Sequence, residues 1–208
     1  MPLQNRMNPM GQLHGVKARG LLMGNRGQLH NAAREIVRPW KLNRWITCAL
    51  EYQGIKRELM ASNSYTELFF LDEPTSYAAG HRPCGDCRKD RYKAFKAAWA
   101  KTFPDQDRSA AGIDKVLQAA RMNADNSQRT WQASLAGLPE GTMVEHEGQP
   151  VLLWRGSQWR WSFEGYSPLA QLMTTGAVTV LTPEPIVELF KNGLGAELLV
   201  HLSAEGEC

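Results

Sequence analysis

The sequence predicts an α+β fold in two parts, and three observations carry that reading. Residues 45–53, Trp-Ile-Thr-Cys-Ala-Leu-Glu-Tyr-Gln, have the β-branched and aromatic content of a strand. Tyr92, Phe95, Trp99 and Phe103 recur at intervals of three or four and so line one face of a helix. From Thr142 onward the pattern shifts to short strands separated by turn residues. The polar stretch 123–128 reads as a linker, dividing an α+β part (1–125) from a small β-rich part (138–208).

The elements follow in chain order. Residues 1–36 read as an irregular arm packed over the domain, with Gly20, Gly24 and Gly27 among arginines and a few apolar anchors. A phosphate-binding loop is not supported there, because no helix follows. After the strand at 45–53, Gln53-Gly54 is a turn and Ile55–Met60 is expected to return as the second strand of a hairpin. Tyr65–Leu71 reads as a third strand or the approach to a helix. Asp72-Glu73-Pro74 then starts a short helix, with an Asp cap and Pro in the first turn, and Gly80 ends it. The helix following Cys87 is closed by Pro104. Another is expected from Ser109 to Met122, with Ile113, Val116, Leu117 and Ala120 inward. Thr142–His146 and Val151–Trp154 flank a Glu147-Gly148 turn, a hairpin signal. Gln158–Phe163 and Val178–Leu181 are further strands, and Pro183-Glu184-Pro185 opens a last helix to Phe190.

Composition bounds the function. With 24 Lys and Arg against 21 Asp and Glu, and 43% hydrophobic residues, the chain is neither disordered nor collagen-like. No apolar run is long enough to cross a bilayer, and residues 1–30 lack the apolar segment of a secretory signal, so a cytoplasmic setting is expected. Gly-x-Ser-x-Gly, His-Glu-x-x-His and Walker patterns are absent, which lowers the weight of common hydrolases and nucleotide-binding enzymes.

Cys84-Gly85-Asp86-Cys87 is the sharpest chemical feature. Two thiols at this spacing on a turn leading into a helix can reach one tetrahedral Zn2+. A thioredoxin-like redox pair would need a βαβ context that is not visible, and a pair of inert buried thiols is the bland alternative. Cys48, on the 45–53 strand, is the natural third ligand, and the terminal Cys208 is expected to be a free thiol. A fourth ligand would come from His30 if the arm folds back, from His81, from a carboxylate or from water. His81 is read as a packing residue.

Residues 69–87, Phe-Phe-Leu-Asp-Glu-Pro-Thr-Ser-Tyr-Ala-Ala-Gly-His-Arg-Pro-Cys-Gly-Asp-Cys, resemble the second half of the Ada-type metal-binding domain. The resemblance spans roughly 45–100, and its specific part is Ala79–Cys87. It implies a four-thiolate zinc site in a small α+β domain that binds DNA, where one thiolate takes a methyl group from a backbone phosphotriester. That family places a first pair, Cys-x3-Cys, just after a Gly-Ile turn, and the methyl acceptor belongs to it. Here Gly54-Ile55 runs into Lys56, Arg57, Glu58, Leu59, Met60 and Ala61, with no cysteine. The implied roles therefore reach Cys84 and Cys87 as ligands and stop before the reactive thiol.

Charge is distributed unevenly. The N-terminal 60 residues are basic and the C-terminal 60 acidic on balance, which favours a nucleic-acid partner, DNA by the resemblance, on the N-terminal part. The candidate contacts are Arg19, Arg26, Arg82, Arg88, Lys89, Lys93 and Lys96, against the alternative of a merely solvated helix face. Trp154, Trp159 and Trp161 could stack bases but are read as divided between core and surface. A second reading is a metal-dependent hydrolase or nuclease using His30 with Glu67, Asp72 and Glu73. Against it, Asp72 already has a role as a helix cap.

Overall fold

A computed structural model describes residues 1–56 and 58–202, so the expectation for Cys208 lies outside the described residues. Among the described residues the fold is α+β, with four α-helices and two six-stranded sheets. Among the described residues no helix is long and apolar enough to cross a membrane.

The first sheet combines β1 (Arg6–Met7), β2 (Leu13–His14), β3 (Leu22–Asn25), β4 (Ile46–Ala49), β5 (Leu68–Phe70) and β6 (Arg82–Pro83) in the order β2-β1-β5-β3-β4-β6. Residues 1–36 are thus no arm: they supply three of its strands, and β3 lies between β4 and β5. Gly24 shows why this stretch is glycine-rich. A Cβ there would sit 2.1 Å from the Ile46 carbonyl oxygen, so only glycine allows β3 to lie so close to β4. In the expected hairpin partner Ile55–Met60, the described residues 55, 56 and 58–60 form no strand. The turn at Gln53-Gly54 forms, but the edge of β4 on that side is taken by β6, which pairs with it in parallel.

The turn that joins β5 to β6 follows its sequence signals closely. Asp72 caps α1 (Glu73–Ala78), its carboxylate accepting from the Thr75 N–H at 3.0 Å and the Thr75 hydroxyl at 2.7 Å. Gly80, at φ +82°, turns the chain out of the helix in the left-handed region that suits glycine. His81 is the packing residue expected. Its ring centroid lies 5.2 Å from that of Trp45 and 4.7 Å from that of Phe70, and burial holds its pKa well below the usual value.

Beyond the cysteines come α2 (Lys89–Thr102) and α3 (Ala110–Arg121), the latter capped by Ser109. The second sheet holds β7 (Trp131–Ser134), β8 (Met143–His146), β9 (Gln149–Trp154), β10 (Ser157–Ser162), β11 (Gly165–Pro168) and β12 (Ala177–Val180). Its order is β11-β10-β9-β8-β12-β7, antiparallel throughout, and α4 (Glu184–Lys191) follows it. The two expected parts share one core. Tyr77, Phe95, Trp99 and Ile113 pack in a single cluster with Met143, Leu152, Trp154, Trp161, Ile186 and Phe190. Trp154 and Trp161 are therefore core residues, and the Trp161 indole N–H donates to the Thr75 hydroxyl at 2.9 Å. The 123–128 stretch is pinned as well, the Gln128 amide donating to carbonyls of Pro9, Ala78 and Leu181.

Arg82 joins the first sheet to α3. Its guanidinium makes two parallel 2.7 Å bonds to the Asp114 carboxylate, with side chains only 3% and 8% exposed. It lies over the Tyr92 ring as well. Removing one member of such a pair leaves a buried charge unpaired. Asp114→Asn should therefore lower stability by about 3–5 kcal/mol, read from urea unfolding midpoints, and Arg82→Met with Asp114→Leu should recover most of it. A loss below about 1 kcal/mol in the single variant would mean the pair is solvated.

Candidate metal centre

Strand alternation builds the site. Across the first sheet Met23 is registered with Cys48 on one side and Phe69 on the other. Residues two apart share a face, so Met23, Asn25, Ile46, Cys48, Glu67 and Phe69 all project from the same side. The opposite side carries Leu22, Thr47, Leu68 and Phe70, all buried, and its apolar members pack on Met7, Leu29 and Ala79. One face of the sheet is thus committed to core and the other is left to form a site.

The parallel pairing of β4 with β6 brings the cysteines to that face. Ile46 is registered with Arg82 and Thr47 with Pro83, and the Cys84 N–H donates to the Thr47 carbonyl at 2.9 Å. Cys84 therefore emerges beside Cys48, and the turn through Gly85 and Asp86 returns Cys87 to the same place. Ligand atoms of Cys48, Cys84 and Cys87 all lie within 4.8 Å of one another, and all three thiols are free. Thiolates on a tetrahedral zinc stand about 3.8 Å apart, given a metal–sulfur distance of about 2.3 Å. A cluster this compact fits a metal ion.

The backbone around the cluster also suits thiolates. The Ala49 N–H donates to Cys87 Sγ at 3.4 Å, and the N–H groups of Asp86 and Cys87 are directed at the Cys84 sulfur. Cys84 is lowered to about 5, chiefly by a hydrogen bond from the Cys48 thiol, against the cost of burial. The same bond is the leading cause that raises Cys48, while burial raises Cys87. Three thiols this close cannot all ionise without a cation among them, and a bound divalent ion supplies it.

The three cysteines open onto a cavity of about 470 Å³. Tyr52, Tyr65 and Phe69 contribute aromatic rings to its lining, and Asn25, Arg44 and Glu67 contribute polar groups. Glu67 is 1% exposed. Its Oε2 accepts from the Met60 N–H at 2.8 Å, whereas Oε1 is buried with no hydrogen-bond partner among the described residues.

Several sequence expectations are corrected by this geometry. His30 is not with the cysteines: its Nδ1 lies 2.6 Å from the Thr66 hydroxyl and its Nε2 3.2 Å from the Ala61 carbonyl. Both ring nitrogens are engaged because residues 26–30 continue away from the cysteines past the end of β3. Asp72 and Glu73 are absorbed by structure. Besides its capping bonds, Asp72 accepts from the His201 N–H at 3.1 Å and from the Tyr166 hydroxyl. Glu73 pairs with Arg88 and with Arg91 at 2.9 Å, and its other oxygen accepts from the Leu199 N–H at 2.9 Å. Of the three acids named with His30, only Glu67 reaches the cavity.

The basic set divides in the same way. Arg82 and Arg88 are held by Asp114 and Glu73, and Arg26 is buried with its guanidinium 4.5 Å from the Trp45 ring centroid. These three are not free for phosphate. Arg19, Lys89 and Lys93 are exposed and Lys96 is half-buried. Glu67, the residue that sequence reasoning placed in the wrong group, had one available signal: its two-residue spacing from Phe69 on a strand.

No family model, curated protein or solved structure matches the chain. The resemblance to the Ada-type domain rests on its own residues, and the metal site on the geometry above. A divalent ion held by Cys48, Cys84 and Cys87 should be present at one per chain by elemental analysis of the purified protein. Cys48→Ser should lose most of it, whereas His30→Gln should keep it. Equal metal content in the wild type and Cys48→Ser would remove Cys48 from the ligand set.

Proposed function

We propose that the protein is a zinc enzyme whose ion, held by Cys48, Cys84 and Cys87, keeps a fourth position turned to the cavity, the arrangement of metal-assisted hydrolysis. One observation carries the reading: the three thiols that would hold the metal also line the 470 Å³ cavity, and no fourth His, Cys, Asp or Glu among the described residues joins them. Structural zinc sites are closed by four protein ligands, while catalytic ones have three and leave a position for water or substrate. Thiolate ligands in a closely spaced Cys-x2-Cys favour zinc over harder ions such as magnesium.

When bound, zinc supplies Lewis acidity at its open position. The chain supplies the rest. Cys48 and Cys84 are fixed by strand pairing, and the Ala49, Asp86 and Cys87 N–H groups bear on the sulfurs. Leu42, Ile46, Leu50 and Ile55 give the cavity apolar lining. Glu67 belongs to the lining as well, with its Oε2 held by the Met60 N–H. Cobalt replacing the metal should show thiolate charge-transfer absorption and tetrahedral visible bands. Added cyanide or a small thiol should shift those bands if a position is open. Bands indifferent to any added ligand would make the site structural.

A nucleic-acid partner is a second reading, supported by the exposure of Lys89 and Lys93 on the first turns of α2, directly after Cys87. Such contacts act through phosphate neutralisation and are salt-dependent. Labelled single-stranded DNA or RNA should bind with affinity falling as salt rises. Lys89→Glu with Lys93→Glu should reduce the slope of log affinity against log salt by about 2. A salt-independent affinity, or one unchanged in the double variant, would argue against this face.

A further inference from the structure

Three thiols with no fourth donor form a ligand set that has a preference of its own. Ligand atoms of Cys48, Cys84 and Cys87 lie within 4.8 Å of one another, and among the described residues no histidine, carboxylate or further thiol joins them. None of the three is tied up in a disulfide. Strand pairing sets Cys48 and Cys84 side by side, so little ordering remains to be done on binding. Zinc held by these thiolates alone lacks one ligand. An ion that forms three bonds and carries a lone pair in the fourth direction lacks none. Thiolates are soft ligands that select soft ions, and the ion that matches them in both softness and bond count is trivalent arsenic.

The surroundings point the same way. Met23, Ile46, Leu59 and Phe69 are among the apolar groups that line the cavity onto which the thiols open. Its charged lining is one guanidinium, Arg44, against two carboxyl groups, Glu67 and Asp86. Such a wall does little to offset negative charge gathered at the sulfurs. Three thiolates leave one negative charge on a divalent ion and two on a cuprous ion, whereas on trivalent arsenic the charges cancel. Access is open as well. Cys48 and Cys87 are half-buried, and the cavity of about 470 Å³ is far larger than arsenous acid, which is uncharged at neutral pH.

We infer that the cluster is a three-sulfur site for trivalent arsenic, taken up as arsenous acid, As(OH)3. At each thiol a sulfur–arsenic bond forms as an arsenic–oxygen bond breaks, and the thiol proton leaves with the departing hydroxide as water. All three together give As(SR)3 and three waters, with no change of oxidation state and no co-reactant. The inference rests on the same thiol geometry as the zinc reading and does not need zinc to be resident. Arsenic bound there takes all three sulfurs and so excludes zinc from the site.

The test uses the purified full chain, kept reduced with a phosphine, which adds no competing thiol. Its zinc content is measured first, and sodium arsenite is then titrated in the presence of a zinc chelator. Arsenic should bind at one per chain, and X-ray absorption at the arsenic edge should show three sulfur neighbours and no oxygen. Cys48→Ser and Cys87→Ser should each show two sulfurs and an oxygen. Both should bind at least about tenfold more weakly, since the third bond closes within one molecule at high effective concentration. Cys208→Ser, which removes the remaining cysteine of the chain, should match the wild type. Two sulfurs in the wild-type complex, or a loss in Cys208→Ser equal to that of the cluster variants, overturns the inference. A chain purified without zinc that takes arsenic on three sulfurs sinks the zinc reading alone. A chain that carries zinc but, once stripped, takes no arsenic sinks this one alone.

Discussion

The pairing of β4 with β6 is the constraint on which the rest depends. β6 is two residues long, and in isolation such a strand has too few hydrogen bonds to hold its place. It is held from outside. Arg82 is locked to Asp114 of α3, and the N–H groups of Arg82 and Cys84 reach the carbonyls of Trp45 and Thr47. A parallel strand cannot be reached by a tight turn from its neighbour. The chain between β4 and β6 instead supplies β5 and α1, and that excursion brings Glu67 and Phe69 to the cysteine face. One local pairing therefore determines both the thiol cluster and its cavity.

The acids on α1 secure this arrangement against the C-terminal part. Asp72 receives N–H and O–H donors from Thr75, His201 and Tyr166, while Glu73 gathers Arg88, Arg91 and Leu199. Burial raises Asp72 although its hydrogen bonds oppose the rise. Both carboxylates are worth more as satisfied junctions than as reactive groups, because a buried acid surrounded by donors has no acceptor capacity to spare. Glu67 differs in this respect, with one oxygen left over. The contrast among three acids within seven residues separates the one that lines the cavity from the two that join parts of the fold.

Elements whose signals are local were legible in the sequence. The Asp72 cap, Pro74 in the first turn and Gly80 after the last mark α1 within a residue of its observed ends. Phe95 and Trp99 mark the buried face of α2, and Ser109 marks the start of α3. The strands of the second sheet were legible from alternation, apart from β7 and β11. What was not legible has a common cause. β1, β2 and β6 are two-residue strands that exist only because neighbours accept them, and β3 carries a glycine in its middle that lowers its own strand propensity. Ile55–Met60 has strand composition, but both edges of β4, its expected hairpin partner, are taken by β3 and β6.

Composition and spacing by themselves determined the α+β class, the helix boundaries and the choice of Cys48, Cys84 and Cys87, because thiol spacing and capping chemistry are local. Only the tertiary structure decided that these three meet, that His30 is engaged elsewhere by Thr66 and Ala61, and that Arg26, Arg82 and Arg88 are internal. Charge in a sequence does not say which guanidinium faces water. That depends on whether a carboxylate or an aromatic ring from a distant segment covers it, and the partners here, Asp114 of α3, Glu73 of α1 and Trp45 just before β4, come from three separate stretches of the chain.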